Sequence, residues 1–148
     1  MEQQLGNFRN YLIDVNKFQV VKNIKNGSYG SVYLIKDKKT KINYAAKIIT
    51  DNSLECEQTK KIVNREIGIM IRFQHETIIR FYGYSLTDFE GQNRVTIIMD
   101  YAQNGSLASF LKLVKLGQAE FDYDNTARQI ILIGISRGMM YLHQNRVI

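Results

Sequence analysis

Cysteine is nearly missing from this chain. Cys56 is the only one in 148 residues, so no intramolecular disulfide can form, and neither a C-x-x-C spacing nor a Cys/His cluster suggests zinc. A single thiol fits a reducing compartment. Long apolar runs are missing too: no stretch reaches the roughly 18 apolar residues that a membrane-spanning helix requires. The polar Glu2, Gln3 and Gln4 after Met1 do not make the basic-then-apolar pattern of a secretory leader. A cytoplasmic or nuclear location is therefore expected, with no membrane partner. What is present, 45% hydrophobic and 23% charged residues, excludes a disordered or fibrous chain and suits one globular domain with its own core.

The formal charge of +6 raises the question of nucleic acid. The lysines are scattered, however, with local clusters only at 36–41 and 60–61, as on solvated faces. A G-x-x-G loop in a basic domain also occurs in KH-type RNA binders, where it joins two helices. Here apolar, β-branched runs flank the loop, which argues against that reading.

The stretch Ile24 to Lys47 organises the rest. Val20 to Ile24 and Val32 to Ile35 read as strands on either side of Asn26-Gly27-Ser28-Tyr29-Gly30, a hairpin tip with two glycines free to take positive φ. A third strand, Ile42 to Ile49, follows a polar turn over residues 36–41. Its period of two places Ala45 and Lys47 on one face, with Ala46 and Ile48 on the other. Small Ala45 leaves room for a flat base, and Lys47 supplies a point charge. Backbone N–H groups at residues 27–30 can approach phosphate where no Cβ intervenes. An ordinary hairpin followed by a surface lysine would look the same at this level.

Glu66 adds a second feature. From about Cys56 to Phe73 the periodicity is helical, and Ile62, Glu66, Met70 and Phe73 share one stripe. A carboxylate on a buried stripe needs a cation. Lys47 on the preceding strand is one candidate. Pairing with Lys61, Arg65 or Arg72, or a solvated position at the edge of the stripe, are the alternatives.

The rest of the chain supplies further elements. Residues 1–17 read as an extension packed loosely on a sheet, without chemistry of its own. Residues 74–77 connect the helix to two more strands, Ile78 to Leu86 and Arg94 to Tyr101, giving five in all. Residues 101–105 break the pattern before a short helix from Ser106, its expected N-cap, to about Val114. The last element, about Asp122 to Gln144, is helical and apolar nearly all round. Such a helix needs burial on most sides, either by self-association or by further sequence.

G-S-Y-G-S-V (Gly27 to Val32), A-A-K (Ala45 to Lys47), R-E-I (Arg65 to Ile67), MDYAQNGSL (Met99 to Leu107) and GMMYLH (Gly138 to His143) follow one another in this order. Together they resemble the first half of a eukaryotic protein kinase domain, over roughly residues 18–148. The resemblance implies an α+β fold: a small lobe of a five-stranded antiparallel sheet and one large helix, then a hinge and the first two helices of an incomplete large lobe. It implies ATP as ligand, with Mg2+ and a protein substrate in an intact domain. Lys47 and Glu66 would be the catalytic ion pair. Ile24, Val32 and Ala45 would sandwich the adenine, with Gly27, Ser28, Tyr29 and Gly30 over the phosphates. Met99 would be the gatekeeper, the Asp100 carbonyl and Ala102 N–H the adenine partners, and Ser106 a ribose contact. No metal-binding residue is assigned.

Departures from the family pattern limit these expectations. Lys25 stands where the first glycine of G-x-G-x-x-G would be, and Glu76 follows His75 where the family has proline, leaving His75 a packing role. The motifs H-R-D-L-x-x-x-N, D-F-G and A-P-E do not occur, and these carry the catalytic base, the metal ligands and the activation loop. The chain is thus expected to be a kinase domain ending before its catalytic loop. A non-catalytic, pseudokinase-like module is the alternative. The MDYAQNGSL and GMMYLH wording resembles most the tyrosine-kinase-like serine/threonine kinases.

Overall fold

The structure, a computed structural model, describes residues 6–27, 30–49 and 57–147. It divides into two compact units: the described residues up to Gln74 with Arg80–Tyr101, and His75–Ile79 with the described residues from Ala102 onward.

The first unit is built on five antiparallel strands in the order β1-β2-β3-β5-β4, where β1 is Phe18–Gly27, β2 Gly30–Asp37, β3 Asn43–Ile48, β4 Phe81–Ser85 and β5 Thr96–Asp100. The number and order along the chain match the sequence reading. The fourth and fifth strands are shorter than expected, because residues 78–80 and 94–95 lie outside the ladder. At the β2–β3 turn the Asp37 carboxylate accepts the Lys39 and Thr40 N–H groups at 2.8 and 2.7 Å, and Lys41 turns the chain with φ 64°. The Thr40 N–H is the main reason that the Asp37 carboxyl titrates below its ordinary value.

The period of two sorts this sheet into two cores. Ala46 of β3 lies opposite Ile98 of β5, and both are fully buried, as is Ile35, in a cluster completed by Phe18 and Tyr44. On the other face Lys47 lies opposite Ile97, and Ala45 opposite Met99. Helix α1 (Glu57–Arg72) covers that face, burying Val63 and Ile67 against Ile49, Phe81, Tyr84, Val95 and Ile97. Phe81 and Tyr84 are three residues apart and would point oppositely on a regular strand. An irregularity between Phe81 and Gly83 resets the register and lets both face α1.

The described residues before β1, 6–17, pack closely, contrary to the loose extension expected. A 3-10 turn over Gly6–Tyr11 sets Phe8 and Tyr11 against the α1-side core, and Val15 is buried. Leu12 forms a parallel bridge with Tyr84, and the Ile13 N–H donates to the Tyr84 carbonyl at 2.8 Å.

In the second unit, Ser106 caps α2 (Leu107–Lys115) by accepting the Ser109 N–H at 3.1 Å, and Asp124 caps α3 (Asn125–Gln144) through the Ala127 N–H at 2.7 Å. Phe110 stacks on Phe121 at 4.5 Å between ring centres, with Tyr123 edge-on. Residues 75–79 dock on α3. His75 stacks on Tyr141 at 4.9 Å, Glu76 pairs with Arg137 at 2.8 Å, and the Thr77 hydroxyl sits where a side chain at Gly138 would begin. His75 is thus a packing residue, as expected. Ile130, Leu132, Ile133, Ile135 and Met140 of α3 are exposed, so the burial that this apolar helix calls for is not met by the described residues.

Candidate active site

The hairpin positions the first group of residues. Gly27 pairs with Gly30 at the end of β1 and β2, and Ser28 and Tyr29 lie outside the described residues. The two glycines differ from expectation and from each other. Only Gly30 has positive φ, at 155°, and a Cβ there would collide with the Ile48 carbonyl oxygen. Gly30 is therefore required by the close approach of β3. At Gly27 a Cβ would meet, among the described residues, only the Gly30 carbonyl oxygen, at 3.4 Å.

Beside this hairpin, Val32 lies opposite Lys47, Leu34 opposite Ala45, and Ala45 opposite Met99. Ladder pairing thus fixes a short path of small, apolar and cationic side chains on the α1 face. Ile24 is exposed on β1 beside a register shift between Asn23 and Lys25. Its freedom from the core leaves it available to a ligand. Asp100 closes β5, where its N–H donates to the Arg80 carbonyl at 2.9 Å. Ala102 and Ser106 belong to the second unit. There the Ala102 carbonyl accepts the Gly105 N–H at 3.2 Å, and the Ser106 hydroxyl serves as helix cap.

Glu66 resolves the open choice among cations. Its Oε1 accepts a hydrogen bond from Lys47 Nζ at 2.6 Å, with the two side chains 28% (Lys47) and 34% (Glu66) exposed. The periodicity of β3 aims Lys47 at the helix, and the periodicity of α1 places Glu66 one position before fully buried Ile67. A lysine so held has a fixed head with N–H groups left for an anion, which suits a phosphate oxygen.

The sequence matches the protein kinase domain family over residues 18–148. The chain belongs to the protein kinase domain family. It is similar to an Aurora kinase of Yarrowia lipolytica (strain CLIB 122 / E 150), at 32% identity over 95% of this chain and 35% of that protein. An Aurora kinase of Patiria pectinifera is 30% identical over 88% of this chain and 30% of its own length, and Aurora kinase B of Mus musculus 30% identical over 90% and 36%. The chain thus spans about a third of the length of the curated relatives that it matches. In the kinase fold the sheet and α1 make the small lobe, and α2 and α3 begin the large one.

Among the described residues no group of three or more His, Cys, Asp or Glu side chains is placed to hold a metal ion, so these residues offer Mg2+ no cage. No helix among them is long and apolar enough to cross a membrane. Sequence reasoning missed the part of Phe8, Tyr11 and Gly83 in building the site's support. The one available signal was the i, i+3 spacing of two aromatics within residues read as polar.

Proposed function

We propose that this chain is the ATP-binding portion of a protein kinase that transfers the ATP γ-phosphate to serine or threonine hydroxyls of protein substrates. The 2.6 Å Lys47–Glu66 pair carries this reading. Phosphoryl transfer demands positioning and charge stabilisation more than covalent chemistry. Lys47 would contact phosphate, and Glu66 would fix where the ammonium stands. Ile24, Val32 and Ala45 would take the adenine faces, Met99 the back of the slot, and the Asp100 carbonyl and Ala102 N–H the adenine edge. Gly27, Ser28, Tyr29 and Gly30 would lie over the phosphates, with Ser106 toward the ribose. The similarity to Aurora kinases supports serine and threonine as acceptors. Residues 1–17 would form an extension and 18–148 the portion of the domain before its catalytic loop. Mg2+ and substrate alignment would belong to the intact domain.

The test is a competition assay on the 148-residue chain, using a fluorescent ATP analogue displaced by ATP or by single-stranded RNA, alongside phosphotransfer to a generic protein substrate. ATP should displace the probe, RNA should not, and transfer should stay at background. Preferential displacement by RNA would overturn the nucleotide reading. Transfer lost in Lys47→Met would overturn the division between a binding portion and separate catalytic segments. A longer form of the protein that binds ATP but transfers nothing would favour the non-catalytic module.

A further inference from the structure

The ion pair does not hold helix α1 in place. Both partners are about a third exposed, and exposed pairs contribute little. Apolar contacts hold the helix, and one set comes from residues before β1. The Phe8 ring rests on the helix backbone: its Cζ is 3.6 Å from where a Cβ at Gly68 would stand, two residues beyond Glu66. The Tyr11 ring lies 5.7 Å from that of Phe81, and both aromatics pack on the cluster containing Val63 and Ile67. Gly83 makes the seat on β4. A Cβ there would collide with the Ile13 side chain and stand 2.6 Å from the Tyr11 carbonyl oxygen.

We propose that residues 6–17 are a positioning element for the Lys47–Glu66 pair, clamping α1 from the side that Gly68 leaves bare. Successive helix residues are about 100° apart, so turning Glu66 away from Lys47 drags Gly68 past the Phe8 ring. Releasing the segment from β4 removes that obstacle and lets α1 turn. The pair would thus report whether the segment is seated, which makes the segment a regulatory handle on the site. The consequence for activity rests on the proposed kinase function; the geometric claim does not.

The test measures the rate at which an amine-reactive reagent modifies Lys47 in the 148-residue chain, read by mass spectrometry without nucleotide. Glu66→Gln gives the rate for the broken pair. In Phe8→Ala/Tyr11→Ala and in Gly83→Ala, the Lys47 rate should rise about fivefold toward that value, the size of shift that losing an aromatic contact produces. Lys36 modification and amide exchange in β2 and β3 should not change, and Phe8→Leu should keep the slow Lys47 rate. An unchanged Lys47 rate in both variants would overturn the proposal, as would a rise shared equally by Lys36 and the sheet amides. Because no ATP is present, failure of the kinase reading would leave this result standing.

Discussion

Lys47 Nζ and Glu66 Oε1 stand 2.6 Å apart across a strand and a helix, nineteen positions separated in sequence. Because both side chains reach solvent, screening and side-chain entropy leave the pair worth less than about 1 kcal/mol to folding. A phosphate oxygen near Lys47 would depend on it much more strongly. Lys47→Met and Glu66→Gln are therefore expected to leave the thermal midpoint nearly unchanged while, on the proposed kinase function, lowering phosphotransfer by an intact kinase domain by about 100-fold or more. Melting curves and initial rates on the same preparations check this. A large loss of stability with unchanged turnover would make the pair structural.

Phe81 is a different kind of residue. It is 5% exposed, packs in the core under α1, and shares that cluster with Met70. Phe81→Ala should destabilise the protein by about 3–5 kcal/mol, through lost burial and the cavity left behind. Urea unfolding gives the value, and a change below about 1 kcal/mol would place Phe81 outside the core.

The two hairpin glycines should separate in the same assay. Gly30→Ala forces a Cβ at φ 155° against the Ile48 carbonyl, and a strained backbone of this kind costs about 1–3 kcal/mol. Gly27→Ala meets no such obstacle among the described residues and should leave stability within about 0.5 kcal/mol. If the tip lies over phosphates, Gly27→Ala should still weaken ATP binding. Equal effects on stability would show that both glycines serve only the β2–β3 approach.

Much of this arrangement was legible in the sequence because it depends on short-range periodicity. Alternation along β3 faced Lys47 inward, the helical stripe faced Glu66 inward, and Ser106 marked the start of α2. Less legible were features set by breaks in that periodicity. Phe81 and Tyr84 share a face only because the β4 register shifts between them, and the ends of β4 and β5 depend on which partners are within reach. The close packing of Phe8, Tyr11 and Val15 was missed because burial there comes from distant elements: Gly68 on α1 and Gly83 on β4 supply space, and space leaves no local mark on residues 6–17. Gly27 and Gly30 likewise look equivalent until the Ile48 carbonyl is placed.

Tyr44 gives the protein an alkaline signature. It is buried, its ring 4.6 Å from Tyr82 and edge-on to Phe18 at 5.7 Å. Burial is the main reason that its hydroxyl is pushed up to about 12, helped by a hydrogen bond with Tyr82 and by the negative charges of Asp37 and Asp100. A phenol with a raised folded-state pKa keeps its proton in the native state after the unfolded chain has lost it. Between pH 10, the ordinary tyrosine value, and about 12 the native state therefore binds more protons, and stability falls as pH rises. Below that window the effect is fully present and flat. Tyr84, also raised by burial, adds to the slope. Thermal midpoints should thus decline through this window in step with tyrosinate absorbance. Tyr44→Phe cannot ionise and should remove part of the decline while leaving the Tyr84 share. A Tyr44→Phe protein that loses stability with the wild-type slope would show that Tyr44 ionises as freely in the folded state as in the unfolded one.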